Sequence, residues 1–159
     1  MVRVSPRVGY IREMSLRDEL VDLGFKGLNR MHRLVVRASG HRLGLRAFGM
    51  TAVELRVPGR RTGIVRSTML TVPVEFEGSL VLVASKGGDD RDPDWFRNLQ
   101  ASPLVEIVRS GTPIAMRARV ATAEESERLW PQVIAAYRPY AGYRRRARRE
   151  IPLVICEPR

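Results

Sequence analysis

Apolar positions change their period near Met50, and the change divides the chain. Between residues 16 and 38, Leu20, Leu23, Leu28, Met31, Leu34, Val35 and Ala38 recur at three- and four-residue intervals, with Lys26, Arg30, Arg33 and Arg37 between them. That repeat predicts an amphipathic helix, or two joined at Gly24–Gly27. Its apolar stripe either packs on the domain or, given the basic opposite face, lies on an anionic membrane surface. Gly40, Gly44 and Gly49 then suit a helix stop and a loop. Beyond Met50, Val53, Leu55 and Val57 alternate with Glu54 and Arg56, the two-residue repeat of a half-buried strand.

Residues 64–76 predict a second long strand, with Pro73 forcing an edge position or a bulge. Glu77–Gly78 makes a tight turn into "SLVLVAS", whose unbroken apolar run predicts a strand covered on both faces. Asp92, Pro93 and Asp94 form a helix start, with Asp92 as the capping carboxylate and a helix through Trp95 and Leu99 to about Ala101. "LVEIVR" and "IAMRARVA" predict two strands joined by "SGTP", with Ile114, Met116, Ala118 and Val120 on one face. Thr122 with Glu125 is a capping box for the next helix, which Pro131 and Pro139 break into segments. Residues 151–156 close the chain as a strand. About six mostly antiparallel strands and three helical regions, without a strand–helix alternation, predict an α+β barrel or curled sheet. The expected organisation is one domain, 1–159, with a helical extension over 1–48 and a barrel core over 49–159.

Composition adds solubility and charge to this picture. The 159 residues are 44% hydrophobic and 28% charged, outside the range of chains that stay disordered. A net charge of +11, from 28 Lys and Arg against 17 Asp and Glu, attracts anions: nucleic acid, acidic lipid or a phosphorylated small molecule. Nucleic acid is the weakest of these, because no nucleic-acid motif accompanies the charge. Cys156, the only cysteine, lies in the apolar "IPLVICEP" and reads as a buried thiol in a reducing cytoplasm. No stretch approaches the ~20 apolar residues of a membrane span. His32, His41 and Cys156 lie outside ligand spacing, so no protein-bound metal is expected.

Three constellations carry candidate chemistry. "RVPGRRTGIVRS" packs Arg60, Arg61 and Arg66 around a strand–turn–strand corner framed by Gly59 and Gly63. Glycines let backbone amides approach a ligand and guanidinium groups add forked donors, a combination that binds phosphate or carboxylate; a solvated basic hairpin is the alternative. "ASKGGDDRDPDWFRNL" follows a buried strand with Lys86, Gly87 and Gly88, then places Trp95 and Asn98 one turn apart on a helix. Trp95 alone reads as core. "YRPYAGYRRRARRE" spaces Tyr137, Tyr140 and Tyr143 by three, which on a helix gathers the phenols along one edge. The arginines after them, Arg144 to Arg149, read as a solvated face. With no nucleophile–His–Asp arrangement evident, an enzyme built on this chain needs a cofactor for its chemistry.

Together and in this order the three segments resemble the deazaflavin-dependent nitroreductases, also described as quinone reductases using coenzyme F420. "GRRTGIVR" is similar to that family's basic turn, "ASKGG" with the later Pro, Trp and Asn-Leu to its cofactor loop and helix, and "LWPQVIAAYRPYAGYRRRARREIPLVICEP" to its C-terminal block, from about Leu28 onward. The resemblance implies an FMN-binding split-barrel-like fold and F420 as cofactor, ahead of FMN. It implies that Arg60, Arg61 and Arg66 hold the phosphate and acidic tail, that Ser85 and Lys86 lie along the deazaflavin, and that Trp95 and Asn98 support it. Tyr137, Tyr140, Tyr143 and Thr71 would line the acceptor side, with Tyr140, Tyr143 or Ser85 donating a proton to a quinone-like or nitro-aromatic acceptor. Thr71 stands where some nitroreductase-active members carry a tyrosine. A non-catalytic binder of deazaflavin or fatty acid is the alternative function. Oligomeric state stays open, and the cytoplasm, with the inner membrane face reached through the N-terminal helix, is the expected location.

Overall fold

The computed structural model describes residues 46–159; the amphipathic helix expected over 16–38, and with it the expected membrane contact, lies outside the described residues. Eight strands, all paired antiparallel, form one sheet: β1 (Arg46–Ala47), β2 (Met50–Pro58), β3 (Val65–Val72), β4 (Val74–Phe76), β5 (Ser79–Val83), β6 (Leu104–Arg109), β7 (Thr112–Val120) and β8 (Leu153–Pro158). The helices are α1 (Asp94–Ala101), α2 (Ala123–Ala136) and α3 (Pro139–Arg146), with a single 3-10 turn over Lys86–Gly88.

The order β1-β2-β6-β7-β8-β5-β4 leaves β3 paired to β2 near one end, while β4 pairs β5 at the other. Only Pro73 separates β3 from β4, so the sheet curls until its two ends share one kinked stretch of chain. This corrects the single strand expected over 64–76. Proline lacks the amide that a ladder needs, and the break hands the chain from one partner to the next.

Two apolar clusters lie on opposite faces of the curl. Val53, Leu55, Val57, Leu82, Ile107, Met116 and Cys156 fill the inside, with Trp95, Phe96 and Leu99 of α1 packed on them. Val81, Val83, Leu153 and Ile155 point outward under Leu129, Trp130 and Val133 of α2 and Tyr140 of α3. All of β5 is therefore buried, as its unbroken apolar run requires. Burial inside the curl pushes the Cys156 thiol up to about 12.

Three local expectations need correction. α2 runs through Pro131 without breaking; Pro131 and Glu127, four residues back, are both exposed, so water can replace the missing amide. Pro139 does mark a boundary, standing at the first position of α3. α1 is capped by Pro93 rather than Asp92, whose carboxylate pairs with Arg149 at 3.0 Å. On β7 only Met116 and Ala118 of the expected face are buried, because Ile114 and Val120 lie near the strand ends, beyond the inner cluster, at 38% and 44% exposed. The Thr122–Glu125 capping box is present, and Arg119 reinforces it by donating to both Glu125 oxygens at 2.7 and 2.8 Å.

Candidate active site

The basic corner is the six-residue connection between β2 and β3. Gly59 N–H donates to the Ile64 carbonyl at 2.9 Å, and the Gly59 carbonyl accepts from Thr62 and Gly63 at 3.2 and 2.7 Å. A Cβ at Gly59 would meet Ile64 O at 3.1 Å and Thr62 Oγ1 at 3.2 Å, so a larger residue there would crowd the closure. Arg60 turns toward α1. Its backbone amide and Nη1 both donate to Asn98 Oδ1, at 3.2 and 3.0 Å, and its guanidinium reaches Asp94 Oδ1 at 3.4 Å. The corner is thereby fastened to the helix that carries Trp95 and Asn98. Asn98 is buried, and Trp95 is a core side chain set edge-on to Phe96. The side chains of Arg61 and Arg66 are exposed and make no hydrogen bond or ion pair among the described residues.

The loop after β5 has an unusual backbone. Lys86, Gly87 and Gly88 follow one another with φ of 46°, 66° and 84°. Glycine takes this region freely; Lys86 does not, and its strain has to be held in place by the surroundings. Gly88 N–H donates to the Ser85 carbonyl at 2.8 Å, closing the turn. Asp89 accepts from Arg91 N, Nε and Nη2 at 2.7, 3.0 and 2.7 Å, while Lys86 Nζ stands 3.9 Å away. The Arg91 hydrogen bonds hold the Asp89 carboxyl at about 2, against burial, which pushes it the other way. The C-terminal arginines close over this loop: Arg146 Nη1 donates to Gly87 O at 3.2 Å, Arg148 N to Asp90 Oδ1 at 2.7 Å, and Arg149 to several carbonyls described below. Arg149 thereby leaves the solvated face expected for that run, while Arg144, Arg145, Arg146 and Arg148 are exposed as expected.

The tyrosines are adjacent but do not share a helix. Tyr137 ends α2, whereas Tyr140 and Tyr143 belong to α3. Their rings form an edge-to-face row, with centroids 5.3 Å apart from Tyr137 to Tyr140 and 5.8 Å from Tyr140 to Tyr143. Phe48, 69% exposed, extends the row 5.2 Å from Tyr137. Tyr140 hydroxyl lies 3.3 Å from Thr71 Oγ1 on β3. Burial raises the Tyr140 phenol above its ordinary range, opposed by the Thr71 hydrogen bond; burial also raises Tyr143, helped by the neighbouring Tyr137 phenol. The row meets the loop at Gly88, where an added Cβ would stand 3.0 Å from both Cα and O of Tyr143.

Of the residues singled out from sequence, the structure joins Arg60 with Asn98, and Thr71 with Tyr140 between Tyr137 and Tyr143; Ser85 and Lys86 open the loop that Tyr143 touches. It leaves Trp95 beneath, in the core. Phe48, Asp89 and Arg149 were not singled out. The acidic "DDRD" and the basic "RRRARRE" were a complementary pair, but nothing local says that segments some sixty residues apart face one another.

The whole described chain is thus an α+β protein whose curled antiparallel sheet carries a basic hairpin, a strained loop and an aromatic row. Residues 28–158 match the family described as F420H(2)-dependent quinone reductase. An F420H(2)-dependent quinone reductase of Mycobacterium tuberculosis is 34% identical over 137 residues, covering 83% of this chain and 91% of that protein. A solved F420-H2 dependent reductase is 36% identical, with a TM-score of 0.61 over 67% of this chain and 93% of its own. A further structure, described as a domain-swapped dimer, is 30% identical with a TM-score of 0.63, covering 90% of this chain and all of its own. These define an oxidoreductase of the deazaflavin-dependent class. The chain belongs to the F420H(2)-dependent quinone reductase family, and its cofactor is coenzyme F420.

Proposed function

We propose that this enzyme anchors F420 by its anionic tail at the Gly59–Arg66 corner, lays the ring system along the Ser85–Gly88 loop, and reduces a quinone-like acceptor held against the tyrosine row. The observation that carries this reading is the disposition of the arginines. Arg60 is committed to Asn98 and Asp94 and fixes the corner on α1, while Arg61 and Arg66 stay exposed with no protein acceptor among the described residues. Donors of this kind fit a polyanion, since charge-assisted guanidinium bonds to phosphate or carboxylate are strong and geometrically specific.

Reduced F420, when bound, supplies a hydride. The protein's part is to bind, orient and provide a proton. Arg61 and Arg66 neutralise the tail. The left-handed backbone at Lys86–Gly88 keeps side-chain bulk away from a flat ligand. Tyr140, whose phenol stays protonated through the neutral range, holds a proton beside Thr71 for the acceptor oxygen, and Tyr143 is the second donor of the row. The half-buried ring of Tyr137, with exposed Phe48 beside it, offers an aromatic acceptor an apolar surface.

Titration of the purified protein with F420 and with FMN, read by fluorescence quenching, tests the tail anchor. Tighter binding of F420, weakened by raised salt, is expected; equal affinity for both, insensitive to salt, contradicts it. Steady-state oxidation of F420H2 with menadione and with a nitro-aromatic compound then ranks the acceptors, with menadione expected to be reduced faster.

A further inference from the structure

β5 and β8 are antiparallel neighbours, with Val83 opposite Leu153. The chain leaving β5 and the chain entering β8 therefore have to lie side by side, and the pairing continues one step further through Ala84 N–H to Pro152 O at 3.0 Å. Arg149, three residues before Pro152, is delivered by this topology onto the loop that follows β5.

Its side chain, only 16% exposed, reaches the loop at both ends and in the middle. Nη2 donates to Ala84 O at 2.8 Å, to Ser85 O at 3.4 Å and to Arg91 O at 3.3 Å. Nε donates to Asp89 O at 3.1 Å. Nη1 pairs with Asp92 Oδ1 at 3.0 Å and donates to Glu150 O at 3.1 Å. One planar guanidinium thus gathers the carbonyls that flank the left-handed stretch Lys86–Gly88. An ammonium, with its donors radiating from a single atom, cannot span that set.

We propose that Arg149 is a positioning residue for F420: it clamps the Ser85–Asp92 loop in the one backbone conformation against which the deazaflavin can lie, without touching the reacting atoms. Three features support this. The loop contains a residue, Lys86, whose left-handed backbone persists only if its surroundings impose it. The bonds from Arg149 fall on the loop's start, middle and end rather than on one strand. Asp92, at the far end of the loop, closes the outer side of the fork with its carboxylate 3.0 Å from Nη1.

The inference rests on the reading that this loop lies along the cofactor, and the test separates the two. Arg149→Lys keeps the charge and removes the fork. Fluorescence titration should show an F420 Kd about tenfold or more weaker, with KM for F420H2 rising in parallel and KM for menadione changing less than about twofold. Hydrogen exchange on the cofactor-free protein should show the Gly88 and Asp89 amides exchanging faster, while β5 and β8 stay protected. Should Arg149→Lys not fold, Asp92→Ala, which removes only the outer partner of the guanidinium, carries the same readouts. Lys86→Ala is the control. Unchanged exchange in Arg149→Lys overturns the clamp, as does faster exchange with unchanged F420 affinity when Lys86→Ala weakens binding. If neither variant alters F420 affinity, it is the placement of the cofactor on this loop that fails, and the clamp loses its role with it.

Discussion

Two arginine-rich segments place their cations differently. At the β2–β3 corner, one arginine of three is tied down and the others face outward without a protein acceptor; in the segment ending at Arg149, the guanidinium groups of Arg144, Arg146 and Arg149 rest on carbonyls or rings, and that of Arg149 alone is largely buried. Arg144 lies 4.4 Å over the Trp130 ring, Arg146 reaches Gly87 O and Arg149 takes the flanks of the loop. The difference comes from what stands opposite. The corner projects beyond the end of its ladder, whereas the C-terminal segment is laid by β-sheet pairing against a loop rich in exposed carbonyls and acids. A cation that finds protein acceptors becomes structure. One that finds none stays exposed.

The largest effect that could break this contrast lies at the point where loop and tyrosine row touch. Gly88→Ala places a Cβ 3.0 Å from Tyr143 backbone atoms at a φ of 84°. Strain and overpacking together should cost about 3–4 kcal/mol, read as a lower denaturation midpoint, and the corner should be unaffected. The converse variant, Arg61→Ala with Arg66→Ala, should leave the melting temperature within about a degree and weaken F420 binding by roughly 3 kcal/mol, more than a hundredfold. If the double variant melted early while binding normally, the outward arginines would be structural after all and the comparison would reverse.

How far the chain announced this arrangement differs between its elements. The alternation at Val53, Leu55 and Val57, the turn at Glu77–Gly78, the buried run of β5 and the Thr122–Glu125 box rest on neighbouring residues, so their physics is visible locally. The corner was legible as a turn, because Gly59 and Gly63 bracket a short connection, but its arginines read equally as a solvated hairpin. What escaped is long-range. Asp92 has the form of a cap, but the cap position falls to Pro93 and the carboxylate pairs with an arginine 57 residues away. Pro73 signals a disturbed strand but not that its two halves take different partners. The Arg149 fork is invisible in a run of five arginines, since only the pairing of β5 with β8 picks out one of them. The clamp belongs to topology rather than to motif.

A smaller effect, about 2 kcal/mol, distinguishes the regions by pH. Asp89 is held at about 2, below its ordinary 3.8, chiefly by the Arg91 hydrogen bonds. A depressed carboxyl contributes stability that is complete above about pH 4 and disappears as pH falls toward 2. Asp89→Asn should therefore lower the melting temperature by roughly 4–8 °C at pH 7, with the gap to the wild type closing near pH 2. The same scan on Arg61→Ala should run parallel to the wild type throughout. A gap that stayed constant into strong acid would mean that Asp89 acts through its shape, not its charge.

The smallest effect concerns the proton. Tyr140→Phe removes one hydroxyl and leaves the ring in its edge-to-face row, so stability should fall by only about 1 kcal/mol through the lost Thr71 bond. Thr71→Val breaks the same bond from the other side and keeps the phenol. If Tyr140 gives its proton to the acceptor, Tyr140→Phe should lower kcat with menadione by about tenfold or more while Thr71→Val, similarly destabilised, lowers it far less. Because burial raises the phenol's pKa, the Tyr140-dependent part of kcat should be flat across neutral pH. Equal losses in the two variants would assign the pair to holding β3 against α3, and the proton would then have to come from Tyr143 or Ser85.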